Sequence, residues 1–453
     1  MRRKSSLYFA LALVVTIGWL NATSLAQAPP VKKRPKIKDF GASVKRLKWD
    51  PRKNSAVDVK RDDERVSDPE VEDVIRVNTN LVSCDVLVLD KQGRAVTGLT
   101  AADFTIHEDD ALQEVGHFYL GDNVNVPRTI VLIIDYSGSQ TPFIQSSVEA
   151  AKILVDKLGP SDLMAIVTDD VELLLDFTND KTKLKKKLDS LVGRSDGSGG
   201  FFGIGGQHRF GKSAQYTALL ATLKEAFNKE DLRPIVVFQT DGDELPLLRN
   251  PPIVPYVTPG LPIDLLEQEE EAKQKYRLYI QDNIREFSLE DIFREAERSR
   301  ATIYTVIPGF RLLGLTPDEQ VNQLRAEDYE RMEAWSERLD KKYRKEFKDR
   351  LDDRWRRTPV AAAKFRAAQE AKVHSALTAV ATLTGGWTDY LERPSQATEI
   401  YSKIFSDINQ RYIVGYYPTN KERDGQRRKI KIEVQTHPDY KVIGRMSYIA
   451  PAQ

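Results

Sequence analysis

The sequence predicts an α/β protein with a doubly wound, mostly parallel sheet, accompanied by a small β module formed from N- and C-terminal segments. From residue 128 onward, short apolar runs alternate with helical patterns, which is typical of strand–helix–strand crossover units. Two stretches, at 76–120 and 411–450, instead alternate apolar and polar residues with no helical period. A chain of 453 residues leaves room for two or three domains.

The first 28 residues resemble an export signal. Three basic residues at positions 2–4 precede an apolar run from Leu7 to Leu20, and the small residues Ala26 and Ala28 offer a cleavage point. This pattern predicts a signal peptide over 1–28 and a secreted or periplasmic protein of the cell envelope. An uncleaved anchor stays open, although the run is shorter than a typical membrane span. Without such an anchor we expect no stable membrane insertion.

Residues 29–75 have the composition of a disordered basic linker. Positions 32–53 contain ten Lys or Arg against two Asp, with two prolines and little apolar content. The whole chain has a net charge of only +1. We therefore favour a solvated linker over a polyanion-binding arm, and we expect no nucleic-acid partner.

The β module is predicted from both ends of the domain region. The stretch 76–124 contains RVNTNLVSCDVLVLD and two shorter strand-like runs, and the stretch 411–450 contains RYIVGYYPT, RRKIKIEVQ and KVIGRMSYI. Neither part alone can cover its apolar face, so we expect the two to pack together. Cys84 is the only cysteine, which rules out an intrachain disulfide, and its apolar surroundings predict a small buried side chain.

Between these parts, residues 127–410 are predicted to form the α/β domain. The short step from 168 to 171 predicts one hairpin, and therefore one antiparallel edge strand. The predicted strands are 129–135, 162–168, 171–177, 234–240, 301–307 and 386–390. The predicted helices are 143–158, 180–191, 214–229, 288–299, 360–384 and 395–410.

Two insertions interrupt the α/β domain. Residues 245–287 are rich in proline and then in charge, and residues 316–358 are charged throughout. The second insertion has apolar residues at steps of three or four, which predicts one striped helix that ends before Pro359. A surface helix packed on the domain is the favoured interpretation, and a partner-binding or self-associating helix stays open. The stripe consists of Met332, Trp335, Leu339, Tyr343, Phe347, Leu351 and Trp355.

Oxygen-bearing side chains lie at three places in the sequence that we expect to meet at one edge of the sheet. Asp135, Ser137 and Ser139 follow a buried strand in TIVLIIDYSGSQ, Asp241 follows another in PIVVFQTDGDE, and Thr217 begins a helix. Ligands of open α/β sheets bind beyond the carboxyl ends of the strands, where these loops meet. Carboxylates and hydroxyls suit Mg²⁺, Mn²⁺ or Ca²⁺. The pattern predicts a surface cation site, although single Asp and Ser residues here also serve as helix caps and in turns.

The same residues resemble a known family. DYSGS, the later Thr217 and the Asp241 of TDGD are similar to the metal-ion-dependent adhesion site of von Willebrand factor type A domains. Residues 76–244, 288–312 and 375–452 resemble the bacterial VWFA-related proteins of acidobacterial type. The resemblance implies metal ligation by Asp135, Ser137, Ser139, Thr217 and Asp241, and an exported protein without an assigned reaction. The sequence Arg445-Met446-Ser447-Tyr448 departs from the family's usual tail.

Two enzyme classes are less favoured. Residues 206–213 match the P-loop pattern G-x-x-x-x-G-K-S, which makes a P-loop nucleotide-binding protein an alternative, but the apolar strand that should precede the pattern is missing. None of the five histidines has metal-ligand spacing or lies beside a nucleophile motif, although a metal-dependent hydrolase using Asp135 and Asp241 is conceivable.

We therefore expect a non-enzymatic, exported protein whose bound Mg²⁺ accepts an acidic residue from a protein partner. The alternative is a structural scaffold that binds partners through the charged helical insertion without a metal.

Overall fold

The computed structural model describes most of the chain from Arg34 to Ala452. The predicted signal peptide over 1–28 lies outside these residues, as does most of the predicted linker. The described residues are 34, 36–44, 47–50, 55–58, 81–123, 126–137, 140, 143–196, 214–228, 231, 233–251, 284–336 and 341–452.

The elements are numbered in chain order. The strands are β1 (Leu47–Asp50), β2 (Ser55–Asp58), β3 (Val82–Leu89), β4 (Phe104–Glu108), β5 (Ala111–Gln113), β6 (Val115–Leu120), β7 (Arg128–Ile134), β8 (Leu163–Thr168), β9 (Leu173–Thr178), β10 (Arg233–Gln239), β11 (Thr302–Pro308), β12 (Thr388–Leu391), β13 (Tyr412–Tyr416), β14 (Arg427–Val434), β15 (Lys441–Ile443) and β16 (Ser447–Ile449). The helices are α1 (Ile144–Asp156), α2 (Lys181–Asp196), α3 (Gln215–Ala221, continued by a π turn at Thr222–Ala226), α4 (Leu289–Ser299), α5 (Pro317–Ser336), α6 (Lys341–Arg357), α7 (Val360–Leu383) and α8 (Ala397–Gln410).

The main sheet has the strand order β12-β11-β10-β7-β8-β9. All neighbouring pairs are parallel except β8 and β9, which are antiparallel, so the predicted edge hairpin is confirmed. Apolar side chains on one face pack against α1, α2 and α8, and those on the other face pack against α3, α4 and α7. Because helices cover both faces, the strands are continuous apolar runs. The predicted doubly wound α/β fold is confirmed.

The β module consists of two four-stranded antiparallel sheets, each built from both ends of the domain region. Their orders are β15-β3-β13-β6 and β16-β14-β4-β5. Val86, Ile106 and Val414 are fully buried in the core shared by the strands of the two sheets. Cys84 is buried in the same core, as predicted. The module that the sequence predicted from the N- and C-terminal segments is therefore present.

Part of the segment that the sequence assigned to a disordered linker is ordered. Phe40 and Val44 are buried in the core on one face of the main sheet, and Ile37 packs beside them. Arg34 forms an ion pair with Asp231, at 2.6 Å. Farther along, β1 and β2 form an antiparallel pair. The structure differs from the prediction here because three apolar residues at steps of three and four bury on the domain despite the basic composition.

The second insertion forms two helices, α5 and α6, where the sequence predicted one. Residues 337–340 between them lie outside the described part of the chain. The helices fold back on one another: the Tyr329 hydroxyl donates to Asp352, and Trp355 packs with Leu324 against α7. An apolar stripe is satisfied equally by one long helix or by two that pair, so periodicity alone cannot separate these arrangements. Of the first insertion, residues 252–283 lie outside the described residues.

None of the helices in the described ranges has both the length and the apolar content needed to cross a membrane.

Candidate metal centre at the carboxyl edge of the sheet

Asp135 lies directly after β7, at the middle of the main sheet, and is almost fully buried, with 1% of its surface exposed. Its backbone N–H donates to the carbonyl of Gln239, which ties the first loop to the end of β10 (3.1 Å). One carboxylate oxygen accepts the N–H of Ser137 at 3.0 Å. The other accepts the side-chain amide of Gln215 at 3.1 Å and the hydroxyl of Thr240 at 3.2 Å. The strand thus delivers a carboxylate to the predicted edge.

Asp241 follows β10, the neighbour of β7, and is also buried. One of its oxygens accepts the same Gln215 amide at 3.4 Å, and the other accepts the side-chain amide of Gln140. The next residue, Gly242, has φ +78°, and a Cβ atom there would lie 2.7 Å from Val373. Only glycine lets this loop lie against α7 in that conformation. A single amide therefore connects the two carboxylates that the sequence predicted to meet.

The two carboxylates influence each other electrostatically. Burial, and then the negative charge of Asp241, raise the pKa of Asp135 to about 7. The charge of Asp241, together with burial, raises the pKa of Asp243 well above its usual value. Close carboxylates with little water around them favour either a proton or a cation between them. The site thus has the electrostatic character that a divalent cation would neutralise.

Thr217 is close in sequence to Gln215 but directs its hydroxyl to a different carboxylate. Its N–H donates to Glu244 at 2.9 Å, and its hydroxyl donates to the other oxygen of Glu244. Glu244 is fully buried and pairs with Arg285, and its backbone N–H donates to the side-chain oxygen of Gln215 at 3.1 Å. Thr217 therefore lies beside the two aspartates, and its described side-chain contact is with Glu244.

The predicted site residues thus divide into three groups. Asp135, Ser137 and Asp241 lie together, Thr217 borders them, and Ser139 lies outside the described residues, as do residues 206–213 of the P-loop pattern. The expectation of a surface site is wrong for the described members, because each is less than a tenth exposed. Their exposed fractions are 1% for Asp135, 5% for Ser137, 4% for Thr217 and 9% for Asp241.

Neighbouring polar groups brace the first loop. Asp169, after β8, accepts the N–H of Tyr136 at 3.2 Å, and Asp170 accepts the Tyr136 hydroxyl at 2.9 Å. These two contacts hold the loop in place. Sequence reasoning did not single out Gln140, Gln215 or Glu244. No spacing pattern singles these residues out, although Gln215 is the first residue of the buried helix α3.

Within the described ranges, no group of three or more His, Cys, Asp or Glu side chains is placed to hold a metal. A site of two carboxylates completed by hydroxyls does not require such a group, and Mg²⁺ keeps several of its waters in sites of this kind. The donor chemistry at Asp135, Ser137 and Asp241 fits a hard divalent cation, and the Thr217 hydroxyl fits if it leaves Glu244.

No protein-family model matches the chain, and no curated protein matches it. Solved structures that resemble it include the conserved hypothetical protein BatB from Bacteroides thetaiotaomicron, with 13% identity, a TM-score of 0.29, and coverage of 62% of this chain and 98% of that one. An aerotolerance-related membrane protein from Bacteroides fragilis has 12% identity, a TM-score of 0.28, and coverage of 62% and 99%.

The vWF domain of the type V pili tip protein Mfa5 from Porphyromonas gingivalis has 16% identity, a TM-score of 0.28, and coverage of 63% of this chain and 95% of that one. Likenesses of this strength carry no argument about function. The α/β assignment rests on the strand order and helix packing described above.

Proposed function

We propose that this chain is an exported, non-enzymatic protein that binds a protein partner through a divalent cation, which is Mg²⁺ or, alternatively, Mn²⁺ or Ca²⁺. The observation that supports it most is the meeting of Asp135 and Asp241, from two strand ends, at the amide of Gln215. Two buried carboxylates at one point are costly without a neutralising charge. Asp135, Asp241 and the hydroxyl of Ser137 would hold the cation, and Ser139 and Thr217 would complete the set.

A bound cation would supply a positive charge that could coordinate the carboxylate of an acidic side chain of a partner. The residues themselves fix the carboxylates in place: Gln215 and Gln140 orient Asp241, and Ser137 and Thr240 orient Asp135. The export part of the proposal rests on residues 1–28 of the sequence.

Calorimetric titration of the purified chain with Mg²⁺ tests the cation site. We expect one bound Mg²⁺ in the wild type, and at least tenfold weaker binding, about 1.4 kcal/mol, in the Asp135→Ala/Asp241→Ala double variant. The matched control is Asp156→Ala/Asp189→Ala, which removes two carboxylates that are more than half exposed and paired with lysines. Unchanged Mg²⁺ affinity in the first double variant would rule out the site.

A metal-independent scaffold is the second candidate, and the burial of the described candidate ligands favours it. In that case partners would bind the helical insertion at α5 and α6. Capture of a partner that persists in EDTA and disappears when 320–358 is deleted would favour the scaffold. Capture that requires Mg²⁺ and fails with Asp135→Ala would favour the cation site.

A further inference from the structure

The insertion helix α5 lies across the carboxyl edge of the main sheet, where the candidate site is found. Glu327 accepts the N–H of Phe310, in the loop after β11, at 2.9 Å. Gly309 approaches the same carboxylate so closely that a Cβ atom there would lie 3.0 Å from it. Asp328 of α5 forms a bidentate ion pair with Arg366 of α7, at 2.7 and 2.9 Å. Several side-chain contacts therefore anchor this helix over the edge.

Arg331 reaches from α5 toward three loops of this edge. It donates to the carbonyl of Pro308 at the end of β11, at 3.2 Å, and its guanidinium lies 5.9 Å from the ring of Phe143, just before α1. It also pairs with Glu327 of its own helix at 2.7 Å. Burial acts to lower the pKa of Arg331, but the negative charges of Glu327, Asp241, Asp243 and Glu370 raise it. The guanidinium is thus within electrostatic reach of the candidate ligand Asp241.

A cavity of about 100 Å³ is shared by the candidate site and α5. Asp241 and Asp243 line it together with Leu324, Glu327 and Arg331 of α5. Its lining also includes three residues of α7, namely Arg366, Glu370 and His374. A cation or an acidic group that reached Asp241 through this cavity would lie close to Arg331.

We propose that α5 is an internal cover for the candidate cation site and that Arg331 acts there as a built-in competitor, weakening divalent-cation binding at Asp241. The inference rests on the proposed function. A positive side chain stabilises the two carboxylates in the absence of a cation and repels a divalent cation that binds between them. Removing only that charge therefore strengthens cation binding without changing a ligand.

A partner would bind most readily when α5 has moved away. The insertion would thereby link cation binding and partner access, because both are favoured by the same displacement of one helix. Exposure of α5 should increase when Mg²⁺ is present.

The test compares Mg²⁺ affinity by calorimetry in the full chain and three variants. Arg331→Gln removes the charge, Arg331→Lys keeps it, and Arg350→Gln is a matched control that removes an exposed arginine paired with Glu346 on α6. We expect about tenfold tighter Mg²⁺ binding in Arg331→Gln, and affinities within about threefold of the wild type in the other two. Hydrogen exchange of α5 should quicken when Mg²⁺ is added to the wild type.

Thermal unfolding establishes whether each variant is folded. If Arg331→Gln does not fold, Arg331→Lys is the variant at this position that is compared with the wild type. The role of Arg331 would be overturned if Arg331→Lys also bound Mg²⁺ about ten times more tightly than the wild type. It would also be overturned if Arg331→Gln and the wild type had equal Mg²⁺ affinities. Wild-type binding that depends on Asp135 and Asp241 but does not respond to Arg331→Gln refutes this inference alone. Absence of Mg²⁺ binding in both the wild type and Arg331→Gln refutes the proposed function as well.

Discussion

At the scale of single residues, the amide of Gln215 is the group that joins the two halves of the candidate site. It donates to Asp135 and Asp241, which arrive from neighbouring parallel strands. Its own carbonyl oxygen accepts the N–H of Glu244, the residue that holds Thr217. One side chain therefore connects the aspartates to the threonine, and its position depends on the buried start of α3.

The environment of His374 leads to a prediction on pH. Burial, and then the positive charge of Arg331, lower the pKa of His374 to about 4. Because an unfolded histidine binds a proton near pH 6.5, the stability that neutral His374 contributes is present above that pH and is lost as the pH falls toward 4. When the pH is lowered from 7 to 5, we expect the free energy of unfolding of the wild type to fall by about 2 kcal/mol more than that of a His374→Phe variant.

Urea unfolding of both proteins at the two pH values measures this difference. The comparison with wild type is needed because Glu370, in the same cavity, has its pKa raised to about 7, chiefly by burial, and so affects stability with the opposite sign. A difference between the two proteins that stays constant from pH 7 to pH 5 would contradict the assignment.

That Asp135, Ser137 and Asp241 lie together could be predicted, because each follows a strand and parallel strands bring their carboxyl ends to one edge; metal ligation by these residues stays a prediction. It could not predict that Thr217 would bond to Glu244. That contact depends on the turn after Asp241 and on Arg285, which lies more than 40 positions farther along the chain. Burial of the site was also beyond sequence reasoning, because it depends on packing between segments that are far apart in the sequence.

At the scale of elements, the insertion is held by a small core of its own. Trp355, on α6, is 7% exposed and packs with Leu324 of α5 and with Ala363 and Ala367 of α7. The guanidinium of Arg325 lies 5.0 Å from its ring. Because this cluster is separate from the two large apolar cores of the main sheet, it stabilises the packing of the insertion and not that of the sheet.

Replacing Trp355 with alanine should therefore loosen the insertion and leave the α/β core intact. A large buried side chain replaced by alanine costs about 3–5 kcal/mol. Amide exchange in α5 and α6 should accelerate about a hundredfold or more while exchange in α1 stays unchanged. Tyr343→Ala, which removes a half-exposed aromatic from the same helix, is the control. Equal acceleration in α1 would show that the insertion does not open independently.

At the scale of the whole molecule, buried arginines join the β module to the main sheet. Arg233, at the start of β10, is 1% exposed; it pairs with Asp85 of β3 at 3.1 Å and donates to the carbonyls of Gly121 and Ile408 at 2.7 and 2.8 Å. Arg445 donates in the same way to the carbonyls of Glu297 and Ala301. The module is thus bonded to the edge of the α/β domain at which β10 and β11 begin.

Loss of Arg233 should weaken the molecule as a unit. Arg233→Ala leaves Asp85 buried without its partner, so we expect the free energy of unfolding to fall by about 3–5 kcal/mol. Arg298→Ala, which breaks an exposed pair with Glu295, should change it by less than about 1 kcal/mol. Chemical unfolding followed by fluorescence provides both values. A loss below about 1 kcal/mol in Arg233→Ala would mean that the module and the sheet do not depend on this contact.

The position of β13 between β3 and β6 also affects how the protein is made. Strands β3 and β6 emerge early in synthesis, but β13, which pairs with both, follows roughly 300 residues later. Until then β3 and β6 expose unpaired backbone that can join other chains. A polypeptide of this kind would benefit from a chaperone that shields its early segments until the last residues have arrived.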